Sequence, residues 1–175
     1  MREMAGSGPQ PLDCILDCLA RGWATGVLPE ALHYEQPMSP FIVRIYVPGH
    51  GVKPHQDDIR DEVPACPEAS EITAQFGLNL YLSMPESGGE LELYMMQLPP
   101  VTYDTLRMSG RDSYAVDLSR FGEPLIRVRP GPGDLILFNS RLLHAVMPGH
   151  GGRTRVTLSA FVGVRDRTRP LTIWA

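Results

Sequence analysis

The segment Ala74–Ser83 constrains the fold more than any other part of the 175-residue chain, because its apolar and polar residues alternate without interruption. Successive side chains of a β-strand point to opposite faces, so the alternation predicts a strand with one apolar and one polar face. The apolar face carries Phe76, Leu78, Leu80 and Leu82, and the polar face carries Gly77, Asn79, Tyr81 and Ser83. We expect the first face to pack under an apolar cover. The second face has the composition of a barrel interior that holds a ligand.

Seven other segments from Phe41 onward also have strand character, and the 17 proline and 17 glycine residues of the chain separate them with turns. Eight strands are enough for an all-β core with the architecture of a double-stranded β-helix, which is a cupin-like jelly roll. Residues 87–89 are expected to form a hairpin turn that leads into a strand at 91–94. Before the strands, an apolar stripe at i, i+3, i+4 and i+7 predicts a short amphipathic helix, which begins at Pro11, ends at Gly22 and covers one sheet face. The stripe consists of Leu12, Ile15, Leu16 and Leu19.

The length of 175 residues suits one folded domain with a sizeable core. Residues 1–10 are expected to be a flexible lead, and residues 11–175 a single double-stranded β-helix domain. Residues 97–124 interrupt the regular strand spacing and contain aromatic residues and arginines, which favours a lid-like insertion over a substrate. Arg107 or Arg111 could hold a substrate carboxylate there, and the alternative is that both are solvated surface residues.

His55 and Asp57 are separated by one residue, so on an extended strand an imidazole and a carboxylate would point the same way, with Gln56 on the opposite side. His144 lies 89 residues downstream, in another segment with strand character. Two histidines and one carboxylate form the facial triad of non-haem Fe(II) sites, which leaves further coordination positions open. The sequence therefore predicts a metal site at His55, Asp57 and His144.

An arginine follows the distal histidine at a position suited to binding a carboxylate. Arg155 and Thr157 would share one face of a strand, and a guanidinium group is a fork for a carboxylate. Arg153 is the rival for this role. On the first strand Ile42, Arg44 and Tyr46 share a face, so Arg44 and Tyr46 are candidates to point into the pocket. An outward arginine and a packed tyrosine remain the alternative at these two positions.

Taken together, His-x-Asp, a distant histidine and Arg-x-Thr resemble the Fe(II)/2-oxoglutarate-dependent oxygenases. Two further segments resemble the same family: the Gly-Gly-Glu-Leu strand at 88–94, and the run at 132–138 that leads into the distal histidine. The resemblance covers residues 41–163. The order of these motifs is similar to the branch that hydroxylates or halogenates amino acids and alkaloids.

The resemblance implies a dioxygenase that uses Fe(II), 2-oxoglutarate as cosubstrate and O2, and whose substrate is an amino acid or an amino-acid-derived small molecule. It implies that Arg155 takes the far carboxylate of 2-oxoglutarate with help from Thr157, and that Tyr46, Asn79 and Tyr81 are further candidates to contact the cosubstrate. Halogenating relatives have Gly or Ala where this chain has Asp57, so the resemblance favours hydroxylation. Two alternatives stay open: a non-redox cupin, such as a metal-dependent isomerase or a ligand-binding barrel, and an inactive barrel that binds without turnover.

Charge and composition argue against several other classes. The net charge is −4 and no basic block of five or more residues occurs, which argues against a nucleic-acid partner. No apolar run approaches the roughly 20 residues that a membrane-spanning helix needs. Three cysteines give no disulfide framework, so we expect a reducing cytoplasmic setting. The sequence favours a small-molecule partner and no particular oligomeric state.

Overall fold

The computed structural model describes residue 8 and residues 10–32, 34–117 and 121–175. Most of the expected lead at 1–10 and residues 118–120 of the expected insertion lie outside the described residues. In the described ranges the chain forms these strands: β1 (Val27–Pro29), β2 (Ile42–Tyr46), β3 (Val52–His55), β4 (Ala74–Ser83), β5 (Ser87–Gly88), β6 (Leu91–Leu93), β7 (Ile126–Val128), β8 (Leu135–Asn139), β9 (His144–Val146), β10 (Gly149–His150), β11 (Arg155–Val164) and β12 (Leu171–Trp174). The helices are α1 (Pro11–Gly22), α2 (Ile59–Glu62), α3 (Pro67–Ser70), α4 (Pro100–Leu106) and a 3-10 turn at Gly110–Asp112.

Two sheets form the body of the fold. The larger has six strands in the order β1-β12-β11-β4-β8, and β2 pairs with the N-terminal half of β11. The smaller has four strands in the order β3-β9-β6-β7, and β5 and β10 form a separate two-stranded ladder. The expected all-β core with the architecture of a double-stranded β-helix is confirmed. The strands beyond the eight expected ones are mostly two or three residues long, too short to show a repeating pattern in the sequence.

The expected hairpin at 87–94 is wrong. β4 pairs with β11 and β8 in the large sheet, whereas β6 pairs with β7 and β9 in the small sheet. The glycine-rich turn therefore carries the chain from one sheet to the other. Gly88 has a positive φ of 73°, and a Cβ there would lie 2.0 Å from the carbonyl oxygen of Pro148, so the crossing requires a residue without a side chain.

Helix α1 covers the outer face of the large sheet, as its apolar stripe predicted, and its bounds agree with the expected Pro11 and Gly22. Ile15 is buried against Leu78 of β4 and Val162 of β11. Leu82 departs from expectation, because it is 45% exposed although it was assigned to the packed face. The register between β4 and β11 shifts beside it, so that Leu82 has no partner on β11 and stands outside the apolar cover.

The insertion covers the outer face of the small sheet. Tyr103 of α4 and Val116 pack against Leu143 and Ala145, the residues on either side of His144. Between the two sheets, Phe138 of β8 packs against small-sheet residues, including Leu91 of β6. The polar face of β4 that the alternation predicted points into the space between the two sheets. That space contains the cavity described next, and Gly77 and Asn79 of β4 line it.

Candidate metal centre

Three potential metal ligands lie together at one end of the small sheet. His55 is the last residue of β3 and His144 is the first of β9, and the two are paired across neighbouring strands. Asp57 follows two residues after the end of β3, so it lies in a loop and not on the extended strand that the spacing suggested. One carboxylate oxygen of Asp57 is 3.5 Å from Nε2 of His55 and 3.6 Å from Nε2 of His144. One ligand atom from each residue lies within 4.8 Å of the others, a grouping that could hold a metal ion.

Both imidazole rings are oriented by a backbone carbonyl. Nδ1 of His55 lies 2.8 Å from the carbonyl of Lys53, and Nδ1 of His144 lies 2.8 Å from the carbonyl of Leu142. A carbonyl only accepts, so each Nδ1 carries the proton and donates it. Each neutral ring then presents the lone pair of Nε2, the tautomer that metal-binding histidines require.

The backbone of Asp57 is fixed from two sides. Its N–H donates to the carbonyl of Ser140, while its own carbonyl accepts from the Ser140 hydroxyl and from the amide nitrogen of Gln75. Gln75 is 1% exposed, and its amide oxygen accepts from the N–H of Ile59. Sequence reasoning missed Gln75 and Ser140. The only available signal for Gln75 was its position two residues before Gly77 on the polar face of β4.

The neighbouring side chains extend this support. Gln56 points away from the triad, as expected, and bonds both the N–H and the carbonyl of Leu98, which ties the insertion to the ligand loop. Tyr114 reaches the triad, with its ring edge-on to His55 at 5.5 Å between centroids. Its hydroxyl accepts from the N–H of Lys53. The ligand loop is therefore held by contacts from both the large sheet and the insertion.

The pKa values of the three ligands reflect their proximity. Burial raises the pKa of Asp57, but the contacts with His144 and His55 lower it by more, so it lies well below its usual value. Burial lowers the pKa of His55, the contacts with Asp57 raise it by more, and the positive charge of Arg44 opposes that rise. Burial and the charge of His55 together hold the pKa of His144 below its usual value. The arrangement favours an ionised carboxylate between the two imidazoles.

Arg155 lies at the closed end of the same cavity, and it is 5% exposed. Its guanidinium carbon lies 4.9 Å from the ring centre of Tyr46 and 5.5 Å from that of Tyr81. Nε and Nη1 of Arg155 and the hydroxyl of Tyr81 are buried without a hydrogen-bond partner among the described residues. Buried N–H groups of this kind are rare, because leaving a buried donor unpaired is costly. A ligand with a negative oxygen would satisfy them.

The predicted residues differ in how directly they reach the cavity. Tyr46, Asn79 and Arg155 line it together with the triad, and so does Arg44. Thr157 does not line it: its hydroxyl lies 3.0 Å from that of Ser159, which donates to the amide oxygen of Asn79 at 2.6 Å. Ser159 lines the cavity and was missed, although it shares the face of Thr157 two residues further along β11.

The arginines of the insertion lie elsewhere. Arg107 pairs with Asp104 at 3.0 Å and lies over the ring of Tyr103. Neither Arg107 nor Arg111 is among the described residues that line the cavity. Their proposed contact with a substrate carboxylate therefore has no support in this arrangement.

No helix in the described ranges is both long and apolar enough to cross a membrane.

Comparison with known proteins gives a family and a fold. A family model described as "Carrier-protein-independent halogenase WelO5" matches residues 12–175. An L-gamma-glutamyl-L-propargylglycine hydroxylase from Streptantibioticus cattleyicolor is 30% identical over 176 residues, which cover 99% of this chain and 63% of that protein. The chain therefore spans less than two thirds of this curated relative's length.

Two solved structures of an N-substituted L-amino acid dioxygenase from Burkholderia ambifaria are similar in fold. One has a TM-score of 0.60 at 22% identity and covers 85% of this chain and 58% of that one. The other, in complex with α-ketoglutarate, has a TM-score of 0.63 at 22% identity and covers 92% of this chain and 62% of that one. At this identity the likeness supports the double-stranded β-helix fold.

Proposed function

Since this chain belongs to the family of the carrier-protein-independent halogenase WelO5, and so to the Fe(II)/2-oxoglutarate-dependent oxygenases that its motifs resemble, we propose that it hydroxylates a small molecule with Fe(II), 2-oxoglutarate and O2. The proposed substrate is an amino acid or an amino-acid-derived compound. Relatives named for a γ-glutamyl amino acid and for N-substituted L-amino acids support that substrate class.

A single observation carries the proposal: one cavity brings together the His55, Asp57 and His144 grouping and a buried arginine with unpaired N–H groups. The triad supplies the two imidazoles and one carboxylate that suit non-haem Fe(II). Arg155 supplies the positive charge and the fork of donors that suit a carboxylate. The chemistry of the donor set therefore fits both iron and 2-oxoglutarate.

Each residue in the cavity, and Tyr81 behind Arg155, has a distinct proposed role. His55, Asp57 and His144 hold the metal. Arg155 binds the far carboxylate of 2-oxoglutarate, and the hydroxyl of Tyr81 adds a hydrogen bond while the ring of Tyr46 keeps the guanidinium in position. When bound, iron, the cosubstrate and O2 supply the oxidising power that replaces a C–H bond with C–OH.

Two further polar residues support the cosubstrate end of the cavity. Asn79 uses its amide oxygen to accept from Ser159, which leaves its amide nitrogen to donate to a ligand. Thr157 acts through Ser159 and fixes the position of that hydroxyl. The role proposed for Thr157 is therefore positioning, and Ser159 and Asn79 are the groups on the cavity wall.

The chain also limits the access of water to the metal centre. The ring of Phe138 contacts His144 edge-on at 4.9 Å between centroids, and His144 is 4% exposed. Leu91 and Val146 line the cavity beside it and pack against Phe138. An apolar wall strengthens the electrostatic contacts inside the cavity and protects a reactive centre from solvent.

Asp57 favours hydroxylation over halogenation, although the family description names a halogenase. A halide would need the coordination position that the Asp57 carboxylate is proposed to take, and the negative charge of Asp57 repels an anion. The test is turnover of the wild-type protein in high chloride or bromide, with the product mass read for the isotope pattern of chlorine or bromine. We expect hydroxylated product alone, and a halogenated product would contradict the role of Asp57.

A non-redox cupin and an inactive barrel are less well supported. A non-redox cupin does not account for the unpaired guanidinium of Arg155 in the cavity that contains the triad, and an inactive barrel does not need the complete triad. Succinate formation separates the alternatives, because only an oxygenase converts 2-oxoglutarate to succinate.

A reducing cytoplasmic setting stays a prediction. Cys14 and Cys18 are exposed on α1 without a disulfide, which agrees with it.

The experiment is anaerobic loading with Fe(II), 2-oxoglutarate and a panel of amino acids and γ-glutamyl dipeptides, followed by O2. Succinate is quantified, and each panel member is examined by mass for an added oxygen atom. We expect succinate and one hydroxylated class in the wild-type protein, and loss of both in His55→Ala and His144→Ala, because two ligands are too few to hold a labile metal. Near-native succinate from either variant would show that the triad is wrongly assigned.

A further inference from the structure

We propose that Arg44 binds a carboxylate of the substrate and so selects for acids in the substrate pocket. This inference rests on the proposed function, since it assigns one residue to the substrate of that same site. It also replaces Arg107 and Arg111, the arginines that sequence reasoning considered for this contact.

The position of Arg44 follows from the register of β2 and β11. Tyr46 is paired with Arg155, and Arg44 is paired with Thr157, so Arg44 and Tyr46 occupy successive positions on the face that looks into the cavity. Arg44 lines the cavity with the triad but is exposed, whereas Arg155 is 5% exposed. The cavity therefore has one arginine at its closed end and another at its open side.

Arg44 has no hydrogen bond or ion pair with any residue that the structure describes. Among the described lining residues, Arg44, Asp57 and Arg155 carry a charge, and the two imidazoles hold a metal as neutral rings. Fe(II) has a charge of 2+ and 2-oxoglutarate a charge of 2−, while Asp57 is 1− and Arg155 is 1+. These four charges sum to zero, so the loaded site keeps one uncompensated positive charge, on Arg44.

An uncompensated guanidinium at the open side of a cavity suits a ligand that enters last and carries one negative group. A carboxylate matches the fork of guanidinium donors in shape as well as in charge. The cosubstrate does not need this residue, because Arg155 already offers two unpaired donors on the cavity wall. The remaining acid in the reaction is the substrate, and an amino acid or a γ-glutamyl dipeptide provides the carboxylate.

The test measures binding and not turnover. Wild-type protein and Arg44→Gln are loaded anaerobically with Fe(II) and 2-oxoglutarate. Each is titrated with L-γ-glutamyl-L-propargylglycine and with its two monoamides, one blocked at each carboxylate. Binding is followed by calorimetry, and the visible charge-transfer absorbance of the Fe(II)–2-oxoglutarate complex is recorded in the same samples.

We expect Arg44→Gln to bind the dipeptide about tenfold more weakly, as suits a charged contact that is only partly shielded from solvent. One of the two monoamides should bind the wild-type protein about tenfold more weakly as well, and Arg44→Gln should weaken it no further, because the contact is already lost. Arg44→Lys should recover part of the affinity. Arg153→Gln, which removes an exposed arginine outside the cavity lining, should match the wild type.

The inference is overturned if the ratio of acid to amide affinity is the same in Arg44→Gln as in the wild type for both monoamides. Failure of the wild-type protein to bind any of the three ligands overturns it too, and so does loss of the absorbance band in Arg44→Gln alone, which would make Arg44 a cosubstrate residue. Absence of the band in the wild type would instead contradict the proposed function. The two failures are thus read from different signals.

Discussion

Two arginines with little solvent exposure lie at the ends of strand β11, and they differ in whether the protein supplies partners for their N–H groups: Arg155 is 5% exposed, and the side chain of Arg165 is 11% exposed. Arg165 directly follows the strand and contacts both carboxylate oxygens of Glu30, at 2.9 and 3.2 Å, as well as Glu71 at 3.4 Å. Arg155 begins the strand and has two nitrogens without a partner among the described residues. The comparison shows that low solvent exposure of a charged side chain does not by itself indicate a binding site. Low exposure together with unpaired donors that face a cavity does indicate one.

The largest expected effect is on Arg155. Arg155→Gln removes a charged contact from a buried carboxylate site, which costs roughly 2–5 kcal/mol, so the apparent affinity for 2-oxoglutarate should fall about 30-fold or more. The free energy of unfolding should stay level or rise, because an unpaired buried charge is removed. Anaerobic titration with 2-oxoglutarate and denaturant unfolding measure the two quantities.

Arg153→Gln is the matched control for that change, since Arg153 is exposed two residues away. It should leave the affinity for 2-oxoglutarate nearly unchanged. Equal losses in the two variants, or a larger loss in Arg153→Gln, would show that the wrong arginine has been assigned.

Arg165→Gln should give the opposite pattern. It leaves the buried carboxylate of Glu30 without its main partner, and breaking a buried ion pair lowers the free energy of unfolding by about 3 kcal/mol. The affinity for 2-oxoglutarate should stay within about twofold of the wild type. Arg169→Gln is the control, because Arg169 also pairs with Glu71 but is half exposed, and a surface pair contributes about 0–1 kcal/mol. A similar loss in both variants would contradict the contrast between the ends of β11.

The stability that the ion pair between Arg165 and Glu30 contributes should also depend on pH. Burial raises the pKa of Glu30, but Arg165, Thr172 and the N–H of Leu32 lower it by more, so that it falls from 4.5 to about 2. A depressed pKa in the folded state stabilises the protein above pH 4.5, and that contribution is lost as the pH falls from 4.5 towards 2. Denaturant unfolding between pH 6 and pH 3 should show a loss of order 2 kcal/mol in the wild type. The loss should be smaller in Arg165→Gln, and an identical pH dependence would refute the role of the pair.

The smallest effect is expected at Thr157, which sequence reasoning placed beside Arg155 at the cosubstrate. Thr157→Val keeps the shape of the side chain and removes the hydroxyl that bonds Ser159. Loss of this hydrogen bond should lower the affinity for 2-oxoglutarate about fivefold, which corresponds to about 1 kcal/mol. Titration of this variant against Arg155→Gln separates support through Ser159 from direct contact. A loss as large as that of Arg155→Gln would place Thr157 on the ligand.

Local sequence patterns determined the elements that depend on neighbours along the chain. An apolar stripe between Pro11 and Gly22 indicated α1 and its bounds, and the alternation at Ala74–Ser83 indicated the bounds of β4 and the polar face that contributes to the cavity. These predictions held because helical and strand periodicity follow from backbone geometry within a few residues. Arg44 could be named as a candidate from its spacing to Tyr46, but its orientation could not be decided.

Tertiary structure decided everything that depends on which strands become partners. The turn at 87–89 carries the chain into the second sheet and does not form a hairpin, because pairing depends on distant strands and not on the turn alone. The register between β3 and β9 sets His55 against His144, and the side chains of Gln75 and Ser140 then fix Asp57 between them. The spacing to Thr157 distinguishes Arg155 in the sequence, but nothing in the sequence shows whether Arg155 or Arg165 has a partner for its charge. Only long-range packing brings Glu30 to one of them and leaves the other facing a cavity, since the contacts of a buried charge are set by the whole fold.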